Sequence, residues 1–116
     1  MPTPLDRFLP AVTQHPLHQA MGVTHISTLN GEAKLDIVVS DTTTNPAGVF
    51  HGGVVYTLCD MACYAALLSV LNDGENAVTH DIHVSMLRAA RLGDRVQFSA
   101  QVLKRGRSVA FMAAEA

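Results

Sequence analysis

The chain has 116 residues, which is enough for one domain and too little for two. Hydrophobic residues make up 48% and charged residues 16%, so a disordered polyelectrolyte is excluded. A net charge of -2 argues against a general nucleic-acid binder, and the apolar excess points to a surface covered by another subunit. The opening MPTPLDRFLP lacks a signal-peptide pattern, and two cysteines, Cys59 and Cys63, do not make a disulfide framework. A soluble, cytoplasmic protein is therefore expected.

In chain order, a short helix is predicted within Leu5 to Gln14, broken at Pro16. Val23 to Leu29 and Ala33 to Ser40 flank Asn30-Gly31, a two-residue hairpin signal. Ala33, Leu35, Ile37 and Val39 share one face of the second strand. DTTTNPAGVFHGG, from Asp41 to Gly53, reads as loop. Val54 to Leu71 is rich in Ala, Leu and Met, has no Gly or Pro, and stops before Asn72-Asp73-Gly74. It predicts one central helix. Asp60 in mid-segment and the lack of flanking basic residues argue against a membrane span. Three further strands are predicted: Ala77 to Leu87, Arg95 to Leu103, and Ser108 to about Glu115, the last two joined at Arg105-Gly106. Strand, strand, helix, strand, strand, strand gives an antiparallel α+β domain.

Three features carry chemistry. His51-Gly52-Gly53 opens the long helix, whose first N–H groups lack internal partners and bear the positive end of the dipole. Glycine there lets an oxyanion, phosphate or carboxylate approach, although the pair could equally serve only a tight turn. Asp60 lies among Leu58, Cys59, Met61 and Ala62, with no Lys or Arg between residues 35 and 87. Buried there it would be costly, and desolvation would push it towards a useful base. The alternative is a carboxylate capping a distant backbone group. Tyr56, Thr57, Cys63 and Tyr64 complete the polar stripe of this helix and could line a pocket. Gly52 and Asp60 are separated by about 12 Å along a helix, too far for one small carbonyl to touch both. If they serve one reaction, two antiparallel helices must each lend an N-terminus to the other's Asp60, across a dimer.

Charge is uneven. Between Arg88 and Arg107 there are six bases (Arg88, Arg91, Arg95, Lys104, Arg105, Arg107) and one acid, Asp94, which leaves +5 there and -7 elsewhere. This is either a set of solvated turns or an anion site. His80 and His83 fall on opposite faces of a predicted strand, and Cys59 and Cys63 read as buried structural thiols, so no metal site is expected.

The sequence Asn45-Pro-Ala-Gly-Val-Phe-His51-Gly52-Gly53, with Asp60 nine residues after the histidine, resembles the hotdog-fold acyl-CoA thioesterases of the PaaI type. The likeness continues through Val78-Thr79-His80-Asp81-Ile82, Met86-Leu87-Arg88-Ala89-Ala90, Gly93-Asp94 and Lys104-Arg105-Gly106-Arg107. It implies a curved antiparallel sheet wrapped around one long helix, in a single domain over residues 1–116. It also implies hydrolysis of an aryl- or alkyl-CoA thioester to a carboxylic acid and CoA, with no separate cofactor, in a homodimer or homotetramer. Carried over, the Gly52 N–H would polarise the thioester carbonyl, His51 would shape that loop, and Asn45 would orient substrate or water. Asp60 of the other subunit would be base or nucleophile, and Thr79 would position water. Gly53, Tyr56, Thr57 and Tyr64 are candidates to line the substrate pocket. Arg88, Arg91, Arg105 and Arg107 are candidates to meet the phosphates of CoA. Family members continue past the point where this sequence stops, at Met112 to Ala116, so the last family strand is expected to be missing. Two other activities compete: a hotdog dehydratase or hydratase on acyl thioesters, and a non-catalytic acyl-CoA-binding domain.

Overall fold

The computed structural model describes residues 3–85 and 88–116. The chain opens with α1 (Pro4–Thr13), where Thr3 and Asp6 cap each other reciprocally: Thr3 Oγ1 accepts from the Asp6 N–H at 3.1 Å and Asp6 Oδ2 accepts from the Thr3 N–H at 3.2 Å. Because His15 precedes Pro16, it takes the extended conformation that proline imposes on its neighbour, and the helix ends there. Beyond it the chain turns again as α2 (Pro16–Ala20), which sequence reading missed.

The hairpin forms where Asn30-Gly31 predicts it. Asn30 has φ 50° and Gly31 φ 83°, the left-handed pair that a tight hairpin needs, between β1 (Ser27–Leu29) and β2 (Glu32–Val38). β1 is shorter than expected. Along β2 burial alternates strictly, with Ala33, Leu35 and Ile37 inside and Glu32, Lys34, Asp36 and Val38 outside. The next strand, β3 (Arg95–Arg105), pairs antiparallel with β2 and sets Ala33 against Ala100 and Leu35 against Phe98. It then pairs with β4 (Ala110–Glu115) through an irregular register between Val102 and Lys104. The sheet order is β1-β2-β3-β4, all antiparallel.

α3 (Gly52–Leu68) crosses this sheet and packs on β2, β3 and β4. Leu58, Ala62, Ala65 and Ala66 are fully buried on its sheet-facing side, as is Phe98 opposite. The alanines let the strands come close, and Leu58 and Phe98 each contribute about 1.5–3 kcal/mol through burial. Phe50 meets Phe98 edge-on, 6.2 Å between ring centroids. This is the sheet-around-a-helix arrangement implied by the resemblance, with four strands among the described residues where the sequence predicts five.

Two expectations change. The helix stops at Leu68, not Leu71, because the Ser69 hydroxyl donates back to the Ala66 carbonyl at 2.7 Å. The same oxygen accepts from the buried Gly31 N–H at 2.7 Å, tying the hairpin to the end of α3. The predicted strand Ala77 to Leu87 is not formed over 77–85, and residues 86 and 87 lie outside the described residues. Over 77–85 the backbone makes no backbone–backbone hydrogen bond among the described residues, and Val78 is 92% exposed. Alternation assigns residues to faces, but a strand also needs a neighbour to pair with. Among the described residues no helix is long and apolar enough to cross a membrane.

Candidate functional site

The loop before α3 is built on its own side chains. Asn45 Oδ1 accepts from the Ala47 N–H at 3.0 Å and the Val49 N–H at 3.2 Å, folding residues 45–49 over themselves. That oxygen is engaged in the loop, which leaves the Asn45 amide group as the part able to donate outwards. The His51 N–H donates to the Thr43 carbonyl, and the Phe50 N–H to the Ala90 carbonyl, so both flanks of the loop are anchored. His51 caps α3: its Nδ1 accepts from the Gly53 N–H at 2.9 Å. A Cβ on Gly53 would stand 3.0 Å from the His51 ring, so glycine is what lets the imidazole reach its donor. Gly52 is the first helical residue, half-buried, and its N–H has no acceptor among the described residues.

Asp60 sits two turns further on. Sequence reading weighed the cost of burying it; it is half-exposed. Its partner is not a backbone group but Thr79, whose Oγ1 donates to Asp60 Oδ1 at 2.5 Å. Asp60 Oδ2 has no protein partner among the described residues. Around it lie Cys59, Cys63 and Tyr64. Burial pushes the Cys63 thiol up to about 11, with Cys59 and the Asp60 charge adding to it, and burial raises Cys59 as well. Tyr64 is also raised by burial, partly offset by its hydrogen bond to Asn76.

These residues open onto a broad cleft of about 2110 Å³ between α3, the segment 74–85 and β4. Asp60, Thr79, Tyr64, Arg88, Arg105 and Arg107 all line it. Asn45, His51, Gly52, Gly53, Tyr56, Thr57 and Arg91 do not. Tyr56 is 44% exposed, and the Thr57 hydroxyl donates to the Gly53 carbonyl at 2.9 Å. The basic cluster is partly neutralised: Arg95 pairs with Asp36 at 3.2 Å and Arg105 with Glu75 at 2.6 Å. The Arg91 N–H donates to Asp94 Oδ2 at 2.9 Å. The Asn72 N–H and the Arg105 guanidinium hold the Glu75 carboxyl below the usual carboxylate range. Sequence reading missed Glu75 and Asn76, whose partners lie 30 and 12 residues away and leave no local signal. Among the described residues there is no cluster of three metal-ligating side chains.

The candidate residues thus form two groups within one chain. One is a helix N-terminus with a donor to spare, and the other is a carboxylate–hydroxyl pair on a cleft.

A profile described as the thioesterase superfamily matches residues 47–116. Acyl-coenzyme A thioesterase 13 of Homo sapiens is 33% identical over 89 residues, covering 77% of this chain and 63% of that protein. The chain therefore spans less than two thirds of that relative's length. A phenylacetic acid degradation-related protein from Ralstonia eutropha JMP134 superposes with a TM-score of 0.80 at 26% identity, covering 96% of this chain and 86% of that one. A hypothetical thioesterase protein from Streptococcus pneumoniae TIGR4, solved with coenzyme A, superposes with a TM-score of 0.72 at 25% identity, covering 78% and 69%.

Proposed function

Since the chain belongs to the thioesterase superfamily, we propose that it hydrolyses an aryl- or alkyl-CoA thioester to a carboxylic acid and free CoA. The observation that carries this reading is the Thr79–Asp60 pair on the cleft. Thr79 donates its only hydroxyl proton to Oδ1, so its oxygen is left as an acceptor. A water held between Thr79 Oγ1 and the free Asp60 Oδ2 points its lone pair at the thioester carbon. As it attacks, Asp60 takes its proton, and negative charge moves onto the carbonyl oxygen. Collapse of that tetrahedral species breaks the C–S bond. CoA leaves as a thiolate, and the proton on Asp60 is returned to it or to solvent.

The oxyanion needs aimed donors, each worth about 2.7–4 kcal/mol. The unpartnered Gly52 N–H at the positive end of α3 is suited to this, with His51 and Asn45 fixing its loop. Eight residues of helix, about 12 Å, separate it from Asp60. The reading therefore places two copies side by side, each supplying the N-terminus to the other's carboxylate, in a dimer or larger homo-oligomer. Arg88 and Arg107, both on the cleft, are the side chains proposed to meet the phosphates of CoA. No separate cofactor enters, because CoA arrives with the substrate. The two free cysteines fit a reducing compartment such as the cytoplasm.

Thiol release from a panel of aryl- and alkyl-CoA esters tests the proposal. The wild type should turn over at least one class, and Asp60→Asn should lose about 10²-fold or more in kcat. Binding of the esters without release by the wild type would reject hydrolysis and favour an acyl-CoA-binding domain.

A further inference from the structure

Thr79 stands on a segment that forms no strand among the described residues. Among the described residues, residues 77–85 make no backbone–backbone hydrogen bond. The hydroxyl is nevertheless on Asp60, so other contacts must set its position. Two precede it directly. Glu75 Oε1 accepts from Arg105 Nη2 at 2.6 Å and from the Asn72 N–H at 2.7 Å. Asn76 Oδ1 accepts from Tyr64 Oη at 2.6 Å and from the Ala77 N–H at 2.8 Å. Neighbouring residues thus grip two different elements, one the end of β3 and the other α3, one turn beyond Asp60. Only Ala77 and Val78 separate this double clamp from Thr79.

Resting on the thioesterase reading above, we propose that Tyr64 and Arg105 are positioning residues: through Asn76 and Glu75 they hold the segment so that the Thr79 hydroxyl meets Asp60. This differs from a direct contact of either side chain with substrate. The guanidinium of Arg105 is already in a charge-assisted bond with a carboxylate, and a CoA phosphate could take it only by breaking that bond. The Tyr64 hydroxyl likewise gives its proton to Asn76. The clamp also explains why the short Thr79–Asp60 bond persists in a stretch that is otherwise exposed.

The test combines kinetics of the full chain with NMR order parameters for residues 77–80 in the unliganded protein. Tyr64→Phe should loosen this stretch from rigid values near about 0.8 to below about 0.6. It should lower kcat about tenfold with KM within about twofold, and it should add nothing in a Thr79→Val background. Glu75→Arg and Arg105→Glu should each do the same, and the two together should recover most of the loss, because the pair is re-formed with its charges exchanged. Three results overturn the proposal: order parameters unchanged, a raised KM at constant kcat, or no recovery in the reciprocal double variant. A wild type that releases no thiol would reject the hydrolase reading instead, and the order parameters would then decide the clamp alone.

Discussion

Thr79 Oγ1 lies 2.5 Å from Asp60 Oδ1, although nineteen positions separate the two residues in sequence. The bond joins the central helix to a segment outside any strand or helix among the described residues, where the other carboxylate oxygen has no protein partner. Replacing Thr79 by Val keeps the shape and removes the donor. Thr79→Val should lower kcat by about 10- to 100-fold, the range of a mispositioned general base, while Thr79→Ser should keep most activity. Steady-state kinetics of the two variants checks this. A fully active Thr79→Val would remove the threonine from the account.

Gly53 poses a different question, because its lack of a side chain serves the His51 cap. In Gly53→Ala the new Cβ would stand 3.0 Å from the imidazole, and the ring must give way. The lost cap costs about 0.5–2 kcal/mol, and the better helix propensity of alanine returns about 0.8–1 kcal/mol. Thermal stability should therefore change by no more than a few degrees, while kcat falls about tenfold as the helix start is reshaped. Melting curves beside thiol-release rates would separate the two effects. Wild-type kcat in Gly53→Ala would show that the imidazole cap is irrelevant to turnover.

Cys63 gives a pH signature. Its thiol is pushed up to about 11 from an ordinary 9.0, first by burial and then by Cys59 and Asp60. A raised pKa means that the folded state holds the proton more tightly. The stabilisation is therefore complete below about pH 9 and is lost as pH rises through about 11. At any pH below 9 the folded chain carries about 100-fold less Cys63 thiolate than the unfolded one. Alkylation of Cys63 at about pH 8 should be slower by that factor in native protein than in denaturant. Equal rates would contradict the burial seen here.

Much of the fold is legible because its signals are local. Asn30-Gly31 names its own turn, and the Ala- and Leu-rich run from Val54 names its own helix. The predicted strand Ala77 to Leu87 is not formed over its described residues, 77–85, for the opposite reason: its alternation is local, but a pairing partner is not. The candidate site is less legible. The His51 cap spans only two residues, yet a role for His51 comes only from the resemblance, which makes it a residue shaping the loop and not a cap. Thr79 was reached through family resemblance, since no spacing rule links a strand-like threonine to a mid-helix aspartate. Asn76 and Glu75 were missed altogether, because Tyr64 and Arg105 come to them only after the chain has turned back on itself. Arg105 shows the cost of counting charges in sequence. It looked like a free cation for a phosphate and is paired with a glutamate.

The central claim is that one chain's helix N-terminus works with another chain's Asp60, and mixing two inactive variants tests it most directly. Asp60→Asn removes the carboxylate. Gly52→Pro removes the proposed oxyanion donor with little harm to the helix, because proline is well tolerated at the first helical position. The preceding residue suits it too: His51 already has φ -67° and ψ 126°, the extended geometry that proline requires of its neighbour. Each variant alone should be nearly inactive. In a hybrid dimer, one of the two sites combines an intact Gly52 with an intact Asp60. Unfolding and refolding an equal mixture should make about half of the dimers hybrid, so about a quarter of wild-type activity should return. No activity above the sum of the two variants would contradict a site shared between chains.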